Sequence, residues 1–310
     1  MLMSRTILQS FLQRPTISIA SLTAASLILS GSMSSASAST HQSTLNPVSY
    51  KPRHDTWPYK PSDFDRSDPT SDDDFYSAPR FVTHIDDAAI ASLRRYYDSS
   101  LPRTGRILDF CSSWISHYPP AIEEASKKGN LKVIGMGMNQ KELAANDVLN
   151  AGRILQDLND DPVVPLTVCG EQAASGMPAS VSGGDAGDTG LLDASTCVVS
   201  IDYLIHPVEV LSSLRERTNK GGSVHLIISN RCFPTKAVGR WLRISEPERL
   251  MMVGDYLHFA GWKKIEILDL KAGEDEGNGV QEQQGGLAGF MKMMGMGGND
   301  PLWVVRAVKE

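Results

Sequence analysis

The sequence predicts an α/β fold in which strands and helices alternate around a mostly parallel, doubly wound sheet. Three observations predict it. Residues 107–110 form a short apolar run carrying one carboxylate, Asp109; small polar residues follow, and Pro119-Pro120 opens a helical pattern over residues 121–125. Strand, small-residue turn and helix make the first half of a βαβ unit. The same alternation returns later: residues 195–202 read as a buried strand, Pro207 heads a helix with Val208, Leu211 and Leu214 on one face, Gly221-Gly222 closes it, and residues 224–229 form the next strand. Proline at the start and glycine past the end suit the two ends of a helix. Finally, residues 263–270 alternate and residues 303–309 form another apolar run; their closeness in sequence predicts an antiparallel pair.

Composition bounds the function classes. The 310 residues are 41% hydrophobic and 21% charged, which suits one globular domain with appendages. A net charge of −6 argues against a nucleic-acid phosphate backbone as the partner. The four cysteines are scattered, with no C-x-x-C, no H-E-x-x-H and no tight His/Cys cluster, so no metal is expected. Cys197 falls inside a buried strand, where a thiol acts as a small hydrophobe.

In chain order, residues 1–54 contain no Asp or Glu, carry Arg5 and Arg14, and hold an apolar stretch over residues 17–29 followed by Ala36-Ser-Ala38. Such composition predicts a cleaved organellar presequence, for plastid or mitochondrion; the apolar run with A-x-A also fits a secretory signal. The run is interrupted and too short for a stable membrane span. Residues 55–74 read as a disordered linker, with prolines, an acidic run and few aliphatics, so the folded domain is expected over residues 75–310. Residues 85–97 read as a helix with Ala89, Ile90, Leu93 and Tyr97 on one face. Residues 131–138 read as the second strand, 140–149 as its helix, and 153–159 as the third strand. Residues 167–190, rich in Gly, Ala and Ser, and residues 271–300, acidic and then Met/Gly-rich, read as flexible inserts. Residues 235–259 read as largely helical, with Trp241, Leu242, Met251, Met252 and Leu257 in the core.

The stretch from Arg106 to Pro119, taken with Asn230-Arg-Cys-Phe-Pro-Thr-Lys236, resembles class I S-adenosylmethionine-dependent methyltransferases of a type-11-like subgroup. That resemblance implies a Rossmann-like sheet of seven strands with a reversed last strand, and S-adenosylmethionine as cofactor. The family's first motif is an apolar strand ending in an acid and a glycine-rich turn; Ile107-Leu-Asp109 matches, while Cys111, Ser113 and Ile115 stand where glycines are usual. The resemblance implies donor contacts from Asp109, Cys111, Ser112 and Ser113 after the first strand, and from Met138 and Asn139 after the second. At the third strand it implies Asp157 for the adenine amino group and Leu158 for the adenine ring. The carboxylate usual at the tip of the second strand is replaced by Gly137, leaving Asn139 as the group that can donate and accept toward a ribose. If Asn139 stands in for that acid, Asn139→Asp should tighten donor binding. The helix over residues 85–97 is implied as a lid or wall of the crevice, or else it simply covers the sheet.

Asp202 and His206 after one strand are the candidate catalysts, taking a proton from the acceptor. Tyr203, Asn230 and Arg231 are the candidate substrate-binding residues, Arg231 being suited to an acidic acceptor. Two readings follow. One is methyl transfer to a small-molecule or protein acceptor. The other is a catalytically silent protein of the same fold, acting in binding or assembly within an organelle. A nicotinamide oxidoreductase is set aside for want of G-x-G-x-x-G and a ribose acid.

Overall fold

The computed structural model describes residues 46–170, 189–271 and 300–310. The presequence up to residue 45, the A-x-A site and the greater part of both inserts, with Phe290 to Met294, lie outside the described residues. Within them a single sheet runs in the order β1-β7-β8-β6-β5-β2-β3-β4. The strands are β1 (Val48–Ser49), β2 (Gly105–Phe110), β3 (Leu131–Gly137), β4 (Gly152–Leu155), β5 (Leu192–Val198), β6 (Thr218–Ser229), β7 (Lys263–Asp269) and β8 (Leu302–Val308). Strands β2 to β6 are parallel neighbours, and β8 runs antiparallel to both β6 and β7. The reversed last strand therefore inserts between β6 and β7. The sequence predicts seven of these strands; the two-residue β1, antiparallel to β7 at the sheet edge, is the eighth.

Helices cover both faces. On one face α2 (Asp87–Ser100), α3 (Pro120–Lys127) and α4 (Gln140–Ala145) bury Ile90, Leu93, Tyr97, Ile122 and Leu143 against Ile107, Val133 and Ile227. On the other, α5 (Pro207–Glu216), α6 (Gly239–Arg243) and α7 (Glu246–Phe259) bury Leu211, Trp241 and Leu257 against Leu108, Leu226 and Val305. Alternation along each central strand supplies both cores, since successive side chains leave a strand on opposite faces.

Several expectations are corrected. The segment expected as a linker is packed: Tyr59 and Asp72 are buried, and α1 (Asp72–Tyr76) is capped by the Ser71 hydroxyl. The packed chain reaches back into the stretch assigned to the presequence, because Tyr50 is buried against Gly254 of α7 and donates to Asp255. Aromatic residues (Trp57, Tyr59, Phe64) and one buried carboxylate supply what the scarcity of aliphatics seemed to deny. The insert expected from residue 167 starts later. Val168 and Cys169 are in the core, and the Gly170 N–H donates to the Gly190 carbonyl, so the two ends of the excursion meet. Strand β4 stops at Leu155, four residues early, and the predicted helix over 140–149 stops at Ala145. There Arg153 donates to the Leu143 and Asn146 carbonyls and closes its end. The long helix over 235–259 is two, parted just before Pro247, and Leu242 is 41% exposed rather than core.

Candidate active site

The order of the central strands reverses between β2 and β5: β3 and β4 follow on one side, β6 on the other. A crevice opens outside the carboxyl ends of strands at such a switch point. Here it holds a cavity of about 530 Å³, within the range of about 300–1,000 Å³ usual for small-molecule sites.

The turn after β2 is built by Asp109. Its carboxylate accepts from the hydroxyls of Ser112 (2.7 Å), Ser116 (2.6 Å) and Thr196 (3.1 Å). Hydroxyl side chains thus hold the turn, and Cys111 at its start takes a left-handed backbone, φ 53°, that would cost glycine nothing. Burial pushes the Asp109 carboxyl up to about 6 against the pull of those three hydroxyls. Both oxygens are spoken for, so Asp109 shapes the turn rather than meeting a ligand directly.

The tip of β3 approaches that turn closely. The Ser112 N–H donates to the Met136 carbonyl, and a Cβ added to Gly137 would stand 2.1 Å from the Ser112 carbonyl oxygen. No side chain fits at residue 137, which is why the usual acid is missing there. Asn139 does not replace it. Its Oδ1 caps α4 by accepting from the Lys141 and Glu142 N–H groups, and its Nδ2 donates to the Tyr76 and Ser77 carbonyls. With donor and acceptor both engaged, the expected ribose role is withdrawn. Glu142, in the first turn of α4, is the carboxylate that lines the cavity at this tip. It accepts from the Arg80 N–H, and burial raises its carboxyl.

At the tip of β4, Asp157 Oδ1 accepts from the Asn159 N–H, a local turn, and Leu158 is buried. Asn159 then joins three segments: it donates to Asp72 and to the Tyr203 carbonyl, and accepts from the Ile205 N–H.

A strap over residues 72–84 closes one side of the cavity with Tyr76, Arg80, Thr83 and His84. This strap, rather than α2, is the wall; α2 covers the sheet, where Tyr96 meets His225 Nδ1 at 2.6 Å. Val199, Tyr203 and residues 230–234 also line it, with Phe233 N–H donating to the Tyr203 hydroxyl and the Phe233 ring packed against Phe75 and His84 of the strap. His117, beneath the strap, is buried and neutral. Burial and the nearby Arg94 charge lower its imidazole to about 4, and its Nδ1 has no partner. Burial also lowers His84. Four non-glycine residues with left-handed backbones, His84, Cys111, His117 and Val199, line this one cavity; such strained positions gather at functional sites.

Asp109, Cys111, Ser112, Ser113, Met138, Asn139, Asp157 and Leu158 all line the cavity, as do Tyr203, Asn230 and Arg231. The two expected catalysts do not. Asp202 sits in a short 3-10 turn behind Tyr203 rather than at a strand tip, because β5 ends at Val198, and its buried Oδ2 has no partner. His206 is exposed just ahead of α5 and lies outside the lining. The residues that sequence reasoning missed are Tyr76, Arg80, His84, His117 and Glu142. Glu142 reads locally as an ordinary third residue of a helix, and the strap residues sit in or beside a stretch that reads as linker.

No protein-family model matches the chain, and no curated protein matches it significantly. Solved structures do. One is phosphoethanolamine N-methyltransferase 2 of Haemonchus contortus in complex with S-adenosyl-L-methionine, at 13% identity over 71% of this chain and 52% of that one, TM-score 0.40. The chain thus spans about half the length of that protein. A SAM-dependent methyltransferase from Archaeoglobus fulgidus matches at 13% identity over 72% of this chain and 93% of that one, TM-score 0.41. The cyclase SpnF matches at 12% identity over 69% and 78%, TM-score 0.40.

Proposed function

We propose that the protein transfers a methyl group from S-adenosylmethionine to an acceptor bound between the strap and the loop after β6. The observation that carries this reading is the cavity at the switch point, lined by the ends of β2, β3, β4 and β5 and by the loop after β6. The site fits the donor with one substitution of roles. Asp157 has one oxygen in the local turn and the other without a partner among the described residues, beside Leu158, which suits an adenine edge and face. Glu142 takes the ribose in place of Gly137 or Asn139. The serine-held turn after β2 and the unpartnered His117 Nδ1 face the amino-acid portion.

When bound, the donor supplies an electrophilic sulfonium methyl. The chain's own residues supply alignment and water exclusion, the main needs of an in-line displacement. The strap shuts the crevice, with Phe75, Tyr76 and Phe233 grouped around Arg80. His84, held neutral by burial and by the Arg80 charge, is placed in the wall to accept an acceptor's proton.

The N-terminal stretch is proposed as a cleaved organellar presequence; the packing of Tyr50 supports a cut before Val48. Calorimetric titration with S-adenosylhomocysteine tests the main reading: one-to-one binding, weakened by Asp157→Ala, is expected. Absence of binding would favour the silent binding protein.

A further inference from the structure

Of the two arginines in the cavity lining, Arg231 is matched by a carboxylate and Arg80 is not. Arg66 pairs with Asp72 at 2.6 Å, Lys236 with Asp72 at 3.2 Å and Asp68 at 3.3 Å, and Arg231 with Asp300 at 2.7 Å. Arg80 forms no ion pair among the described residues. Its backbone N–H is tied to Glu142 on the β3 side, while its guanidinium extends toward the loop after β6. There it lies 4.4 Å from the Phe75 ring centre, 5.7 Å from Tyr76 and 5.5 Å from Phe233. Nη2 donates to the Phe75 carbonyl, and Nη1 is buried with no partner.

Aromatic faces attract a guanidinium but accept no hydrogen bond comparable to a carboxylate's. A buried donor without a partner calls for one, from water or from a ligand. Arg231, paired with Asp300, lies in the same lining with more than half of its side chain exposed. Nearby Asp72 is already matched by Arg66 and Lys236.

We infer that the β6 side of the cavity is an anion site: a ligand filling it sets a carboxylate or phosphate against the Arg80 guanidinium and its apolar part against Phe233. Guanidinium binds such groups through paired N–H donors. The methyl-transfer reading bears only on which ligand brings the anion. An acidic acceptor would do so, and so would the amino-acid carboxylate of the donor.

The probes are benzoate and phenyl phosphate, with benzyl alcohol as the neutral counterpart, titrated into wild type, Arg80→Gln and Arg80→Lys. Both anions should bind wild type at least tenfold more tightly than benzyl alcohol, and Arg80→Gln should erase that margin while Arg80→Lys keeps part of it. Should Arg80→Gln not fold, benzoate should still protect Arg80 of the wild type from phenylglyoxal, read by mass spectrometry. No preference for the anions, an unchanged margin in Arg80→Gln, or no protection would overturn the inference. S-adenosylhomocysteine affinity then separates the sources. If it is unchanged in Arg80→Gln, the anion belongs to the acceptor. If it falls while 5′-methylthioadenosine, which lacks the carboxylate, binds as before, the anion is the donor's. Benzoate binding without any S-adenosylhomocysteine binding by wild type would sink the methyl-transfer reading and leave the anion site standing.

Discussion

Lys236 Nζ lies 3.2 Å from an oxygen of Asp72, with the lysine side chain wholly buried and the aspartate 5% exposed. This pair fastens the start of the strap to the loop after β6. Breaking a buried pair by removing one partner costs about 3–5 kcal/mol. Part of that is offset here, since Asp72 keeps Arg66 and Asn159. Lys236→Met is expected to lower stability by about 2–4 kcal/mol and to speed hydrogen exchange over residues 66–80 before the rest of the sheet. Uniform exchange with no loss at the strap would show that the pair does not hold it.

Asn139→Asp is expected to weaken, not tighten, binding of S-adenosylhomocysteine. The Nδ2 group donates to two carbonyls of the strap, and a carboxylate would face both without a proton to offer. Glu142→Gln keeps an acceptor for the Arg80 N–H but removes the charge. If Glu142 holds the ribose, the loss is about 1.5–3 kcal/mol, or roughly ten- to over a hundredfold in affinity. Calorimetry on both variants checks the pair, and a tighter Asn139→Asp would restore the stand-in role.

Stability should depend on pH through Asp202. Burial raises its carboxyl from 3.8 to about 7, so the folded protein holds the proton more tightly than the unfolded chain. Its contribution is most favourable below about pH 4 and is lost as pH rises through about 7. Asp109 has the same sign, whereas His117, lowered to about 4, and His225, lowered to about 3, add stability as pH rises toward 6.5. The difference between Asp202→Asn and wild type isolates the one group. It should be near zero at pH 4 and grow by up to about 1.4 kcal/mol per pH unit in favour of the variant, levelling above pH 7. Urea denaturation across that range measures it; a flat difference would mean the carboxyl titrates normally.

Replacing residues 171–188 by a short Gly-Ser link should leave the melting temperature nearly unchanged, because the Gly170 to Gly190 hydrogen bond already closes the excursion and loop length enters only logarithmically. Val168→Ala, by contrast, removes buried methyl groups just before it and should cost about 1–3 kcal/mol. A large drop from the shortened loop would show that it packs on the domain.

The sequence by itself determined the order of strands and helices and the identity of most of the cavity floor. Apolar runs ending near Asp109, Gly137 and Leu155 mark strands because burial on both faces demands continuous hydrophobicity, and parallel strands bring their carboxyl ends to one rim. What only the tertiary structure decided is the use made of each polar group. Asn139 looks free to serve a ligand until Tyr76 and Ser77, more than sixty residues earlier, claim its amide. Gly137 looks like a lost carboxylate until the Ser112 carbonyl is seen to leave it no room. Asp202 looks like a strand-tip catalyst until β5 ends four residues before it. The chain before residue 75 reads as presequence and linker because what packs it is Tyr50, Tyr59 and the ion pairs of buried Asp72, and such long-range polar contacts leave no periodic trace in the residues that make them.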